Sequence, residues 1–312
     1  IYRYVFAKGK ESEQKIKLTK ELIQSLQEKD IEKIVLKMLE DKKENSQYKN
    51  NCLRQDKLLW IARDYQRQGI KYVEIADSDL AKVGEPAVKL LEEIHEIMPE
   101  IEKETGVKMR FLLAMRRIPL TIIKDQKTSS RYLRENINVL KAVAKSPYVV
   151  GSDFMGEEIN DITDLQPAIQ EIVKYVNEED PNFTIRIHAG ENDSLRDNIF
   201  KSIQCVKEAV PEGKNTPKIR IGHGLYTPDL NSKKGKILME EIKSSLQKGQ
   251  KMPRVRIGHG LYSESLNTKS GIELLELMKQ TGVVIEFQLT SNVRLNNLTN
   301  LSNHPIKIFL NN

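Results

Sequence analysis

The chain has 312 residues, 39% hydrophobic and 30% charged, enough to bury one large core in a single domain spanning 1–312. Both charge signs are interspersed and the net charge is only +6, so composition gives no reason to expect a nucleic-acid surface. No apolar run reaches membrane-spanning length, and Cys52 and Cys205 form neither a disulfide framework nor a zinc knuckle, which suits a reducing cytoplasm.

The opening part, residues 1–50, reads as helical. Leu18, Leu22, Ile23 and Leu26 recur at helical spacing within 12–28, and Ile31, Ile34, Val35, Met38 and Leu39 do so within 31–40. A polar loop, Lys42–Asn51, follows. A third helix, 56–68, stops at Gly69 and passes into a strand at 70–76, the helix–glycine–strand join of α/β units. The same join recurs at Gly106 before Val107–Ala114 and at Gly282 before Val283–Leu289. Further strands are expected at Tyr148–Phe154, Thr184–His188, Ile219–Gly222 and Val255–Gly258. Helical patterns fill 85–104, 129–145, 163–178, 193–209, 233–247 and 270–280. Seven strands alternating with helices predict a parallel sheet, and the count favours a (β/α)8 TIM-type barrel over a doubly wound sheet. No glycine-rich phosphate loop follows the first strand, which weighs against a dinucleotide fold.

One βα unit is duplicated. Pro217–Tyr226, P-K-I-R-I-G-H-G-L-Y, returns as Pro253–Tyr262, P-R-V-R-I-G-H-G-L-Y, 36 residues later as counted from His223 to His259. The units are 217–252 and 253–288. Whichever copy is displaced from the barrel is an insertion, a substitute strand or a mosaic of two related genes, and the regular spacing from His188 leans toward His223 as the copy in place.

The chemistry gathers at strand ends. Ile185-Arg186-Ile187-His188-Ala189-Gly190-Glu191 delivers a histidine and, three residues on, a glutamate that has turned off the strand. In a parallel barrel such groups face one shared mouth, where a histidine can ligate a metal and the glutamate can act as acid or base. A hydrogen-bonded histidine beside a helix-start glutamate is the plainer reading of H-A-G-E alone. Elsewhere the plain readings stand: His95 as a solvated helix histidine, Trp60 as core, His304 at a turn or helix start, and Asp77 and Asp79 as loop residues.

In order along the chain, Val149–Glu158 (V-V-G-S-D-F-M-G-E-E), I-H-A-G-E-N at 187–192, R-I-G-H-G twice, and Val284–Asn292 resemble the adenosine deaminase family of metal-dependent barrel hydrolases. Tyr72-Val73-Glu74 and Leu113-Ala114-Met115-Arg116-Arg117 are similar to that family's second and third strands. The resemblance covers roughly 56–310. It implies that His188 is a zinc ligand and that Glu191 protonates the purine ring nitrogen while metal-activated hydroxide attacks the neighbouring carbon. It implies further that His223 or His259 orients that hydroxide, and that Gly156 and Asp153 border the purine. Metal activation brings the pKa of water to about 7, and the carboxyl group delivers the ring proton.

Two family features are missing: no H-x-H occurs, and no Asp-Asp pair closes the chain. Catalytic zinc usually takes three protein ligands, so a fragment lacking the first and last strand motifs is the expectation. The function implied is zinc-dependent deamination of adenosine or a related purine nucleoside or nucleotide, with one Zn2+ and a small purine as partners. An inactive barrel serving as an assembly module and a basic protein binding adenine-containing nucleic acid are the competing readings.

Overall fold

The computed structural model describes residues 54–117, 126–156, 158, 161–214, 216–224, 233, 237, 256–258, 268–281, 284–288, 292 and 300–311. The chain divides into two units at Trp60, and the second, Ile61–Asn312, carries the sheet and the site. The helices expected at 12–28 and 31–40, most of 233–247, and His259 lie outside the described residues.

The elements in order are α1 (Arg54–Arg67), β1 (Tyr72–Asp77), α2 (Glu85–Thr105), β2 (Lys108–Arg116), α3 (Gln126–Val143), β3 (Val149–Met155), α4 (Gln166–Glu178) and β4 (Thr184–Ile187). Then come α5 (Asn198–Ala209), β5 (Lys218–Ile221), β6 (Arg256–Gly258), α6 (Lys269–Thr281), β7 (Val284–Glu286) and α7 (Ile306–Asn311). The glycine joins have a local cause. Gly106 ends α2 at φ 66°, a left-handed conformation that disfavours a side chain, and its N–H donates to Glu102 O.

All seven strands are parallel and follow chain order, β1 to β7. Wherever a helix is described between two consecutive strands it leads to the neighbouring one, the α/β arrangement of a TIM-type barrel. One ion pair shows that the sheet curls. Arg220 on β5 pairs with Glu74 on β1 and, at 2.8 Å, with Glu286 on β7. In a flat sheet β1 and β5 would stand four strand spacings apart, about 19 Å, beyond any Arg–Glu reach. Glu74, Arg220 and Glu286 therefore share the concave side of a barrel wall.

Strand alternation sorts the rest. Met109, Phe111, Leu113, Met115, Phe154, Ile185, Ile187, Ile219 and Ile221 are buried, while the intervening Asp153, Arg186 and Arg220 join the inner charged layer. Each fully buried aliphatic or aromatic side chain contributes roughly 1.5–3 kcal/mol.

The duplicated unit is resolved by register. Arg220 pairs Arg256 and Ile221 pairs Ile257, so the two copies are neighbouring strands of one sheet, the second standing between the first and β7. One expectation is overturned: Trp60 is 65% exposed, because its position on α1 points away from the apolar stripe despite flanking Leu59 and Ile61. His95 is exposed as expected but tethered, its Nε2 2.8 Å from Ser146 Oγ and its ring edge-on to Tyr148. Among the described residues no helix is long and apolar enough to cross a membrane.

Candidate active site

β4 and β5 run on side by side past their last paired residues. His188 N–H donates to Phe154 O, Gly222 N–H to Ile187 O at 2.7 Å, and Gly224 N–H to Ala189 O at 2.8 Å. These bonds hold the two strand-end histidines together. The rings of His188 and His223 stand 4.9 Å apart, nearly perpendicular. His223 Nε2 lies 3.6 Å from Glu191 Oε1. One donor atom each from His188, Glu191 and His223 lies within 4.8 Å of the others, close enough to surround a single ion.

The glycine of R-I-G-H-G has a spatial reason. A Cβ on Gly222 would sit 2.4 Å from His188 Cδ2, so the ring of His188 occupies the space a side chain would need. The second copy differs: a Cβ on Gly258 would meet His223 O at 2.7 Å and Gly222 O at 2.8 Å. The same motif faces an imidazole in one copy and its twin's backbone in the other. Among the described residues it is His223 that stands beside His188.

Asp153 stands two residues before the end of β3. It is 1% exposed, with Oδ2 3.3 Å from both His188 Nε2 and Arg186 Nη1. Burial alone would raise its pKa; contact with His188 and the charges of Arg186 and Arg220 outweigh this and hold the carboxyl below its ordinary range. Although close, His188 Nε2 does not meet Asp153 in hydrogen-bond geometry. It is buried without a hydrogen-bond partner among the described residues. A buried imidazole nitrogen in that condition fits a metal ion, since leaving it unpaired is costly. Gly156 takes φ 111°, and Arg117 Cγ lies 3.7 Å from where its Cβ would be.

Two residues without a role in the sequence reading hold the site. Glu158, buried at 3%, accepts from the backbone N–H of Gly190 (3.2 Å), Glu191 (2.7 Å) and Asn192 (2.8 Å) and from Asn198 Nδ2 (2.8 Å). The turn at Gly190, φ 73°, aims three successive N–H groups at one point, and the carboxylate fills it. Nothing in Glu157-Glu158 distinguishes the clamp from its neighbour before folding. The second is Arg117, 2% exposed, which donates to His188 O at 2.6 Å. Burial pushes its guanidinium pKa down, opposed by Glu158, Glu191 and Asp153. Its doubled arginine, Arg116-Arg117 at the end of β2, was the available signal.

Among solved structures, the chain is similar to an adenine deaminase from Arthrobacter aurescens (13% identity, TM-score 0.47, covering 82% of this chain and 58% of that one). It is also similar to an amidohydrolase from Burkholderia ambifaria with bound Zn (13%, 0.46, 80% and 62%). An endoglucanase from Pseudomonas stutzeri gives 13% identity and TM-score 0.39 over 74% of this chain and 76% of that one. The chain thus spans about 60% of the first two proteins' length. No curated protein sequence matches. The adenosine deaminase family profile matches residues 50–312, most of the chain and every strand described above. With that extent of match, the chain belongs to the adenosine deaminase family.

Proposed function

We propose that this protein is a metal-dependent hydrolase that removes the exocyclic amine of adenosine or a related purine in the cytoplasm. The observation carrying the reading is the convergence of His188, Glu191 and His223 within 4.8 Å at the carboxyl ends of β4 and β5. Two strands whose order in sequence does not specify ring contact deliver an acid and two imidazoles to one mouth.

His188 would hold the metal, for which its buried Nε2, without a hydrogen-bond partner among the described residues, is suited. When bound, a zinc ion would supply a water of lowered pKa at neutral pH. Glu191, 41% exposed, reaches outward from the clamped loop and holds a proton on its carboxyl for the purine ring nitrogen. His223, facing Glu191 across 3.6 Å, takes a proton at Nε2 from the attacking water and orients it. Asp153 places a carboxylate charge 3.3 Å from His188, and Glu158 ties down the backbone of Glu191. Gly156 brings bare backbone to the pocket edge.

The test is a zinc assay coupled to ammonia release from adenosine. About one zinc per chain with inosine formation supports the reading. Absence of both from folded protein favours an inactive barrel.

A further inference from the structure

We propose that Arg117 is a positioning residue: it stands in for a rung of the β3–β4 ladder and thereby holds the peptide, and with it the imidazole, of the candidate metal ligand His188. Ladder geometry carries the inference. Toward β5 the rungs skip His188, since Gly222 N–H donates to Ile187 O and Gly224 N–H to Ala189 O. The N–H and C=O of His188 therefore face β3, and the N–H donates to Phe154 O at 3.0 Å. A regular parallel ladder would next bring Gly156 N–H to His188 O. But β3 ends at Met155, and Gly156 leaves extended backbone at φ 111°. In that place Arg117 Nη2 donates to His188 O at 2.6 Å.

The contact joins strands that are not neighbours. Arg116 pairs with Met155, so Arg117 stands at the end of β2, two strands from β4. Two strand spacings are about 9.6 Å, beyond any backbone hydrogen bond and within reach of a long side chain. On the way the arginine stem passes beside Gly156, its Cγ 3.7 Å from where a Cβ there would stand. Burial at 2% exposure disfavours the guanidinium charge, and the carboxylates of Glu158, Glu191 and Asp153 oppose that cost. A charged donor makes a stronger bond than the neutral N–H it replaces. Because the His188 ring lies where a Cβ on Gly222 would be, any shift of the His188 peptide moves the ring against β5.

Two readouts on the intact chain test the role. The comparison is Arg110→Met, which removes another β2 arginine whose partners are Glu102 and the carbonyl of Met109. In the metal-free chain, Arg117→Met should shift the imidazole NMR resonances of His188, assigned by their loss in His188→Gln, while those of His95 keep their positions. Zinc affinity, measured by calorimetry, should fall by about tenfold or more, the loss expected for one charge-assisted bond. Arg110→Met should lower the melting temperature and leave His188 and zinc affinity unchanged. Unshifted His188 resonances in folded Arg117→Met, unchanged zinc affinity where the parent binds zinc, or equal changes in Arg110→Met overturn the proposal. Arg117→Gln, whose amide is shorter than the guanidinium it replaces, repeats the comparison if Arg117→Met fails to fold. The zinc readout rests on the metal-dependent reading and the ring readout does not. A shifted His188 spectrum in a chain that binds no zinc supports the positioning role and counts against the hydrolase reading alone.

Discussion

The two copies of R-I-G-H-G are identical in sequence and unequal in surroundings. On β5 the motif's glycine lies under the ring of His188, and His223 meets Glu191 at the mouth. On β6 the equivalent glycine presses on the backbone of β5. The same motif therefore meets an imidazole on one strand and a neighbouring backbone on the next.

Experiments on the intact protein can break or sharpen that comparison. The largest expected effect comes from what the first copy touches: His188→Ala should lose both zinc, by elemental analysis, and deamination. Retained stoichiometry would show that the ligand lies elsewhere. Next, Glu191→Gln should keep the metal and lose about 10²–10⁴-fold in kcat, because an amide cannot cycle a proton; loss of zinc instead would make Glu191 a ligand. His223→Asn should slow turnover about 10²-fold or more by removing the water's base, while His259→Asn is expected to leave the rate near the parent's. Equal losses would erase the distinction between the copies.

The glycines give a subtler contrast. Gly222→Ala should displace His188 and depress zinc affinity more than stability, whereas Gly258→Ala should lower the melting temperature through about 1–3 kcal/mol of backbone strain and spare zinc affinity. The smallest effect is at the clamp. Glu158→Gln turns an amide N–H2 toward backbone donors and should cost about 1–3 kcal/mol, read by denaturant unfolding, with kcat reduced and zinc retained. A fully active variant would reduce Glu158 to a loop residue.

Much of the fold was legible because strands and helices announce themselves locally. The strand expected at Tyr148–Phe154 is Val149–Met155, and the helix expected at 85–104 is Glu85–Thr105. Short 3-10 segments at Ile162–Leu165 and Asp193–Leu195 precede α4 and α5 where the pattern predicts continuous helices, since periodicity does not separate a tight first turn from an α-helix. His188 and Glu191 were readable from one strand end. Glu158 was not, because its role consists of three N–H groups more than thirty residues away.

Residue order alone determined the alternation of strand and helix, the carboxyl-end placement of His188, Glu191 and His223, and the duplication itself. These depend on side-chain period and on glycine's freedom at particular turns. Tertiary structure alone decided that Arg220 closes the curve of the wall between Glu74 and Glu286, that Glu158 gathers the loop, and that the first copy stands beside His188. Identical local sequences share identical local preferences, and only the neighbours that folding brings to each can make them different.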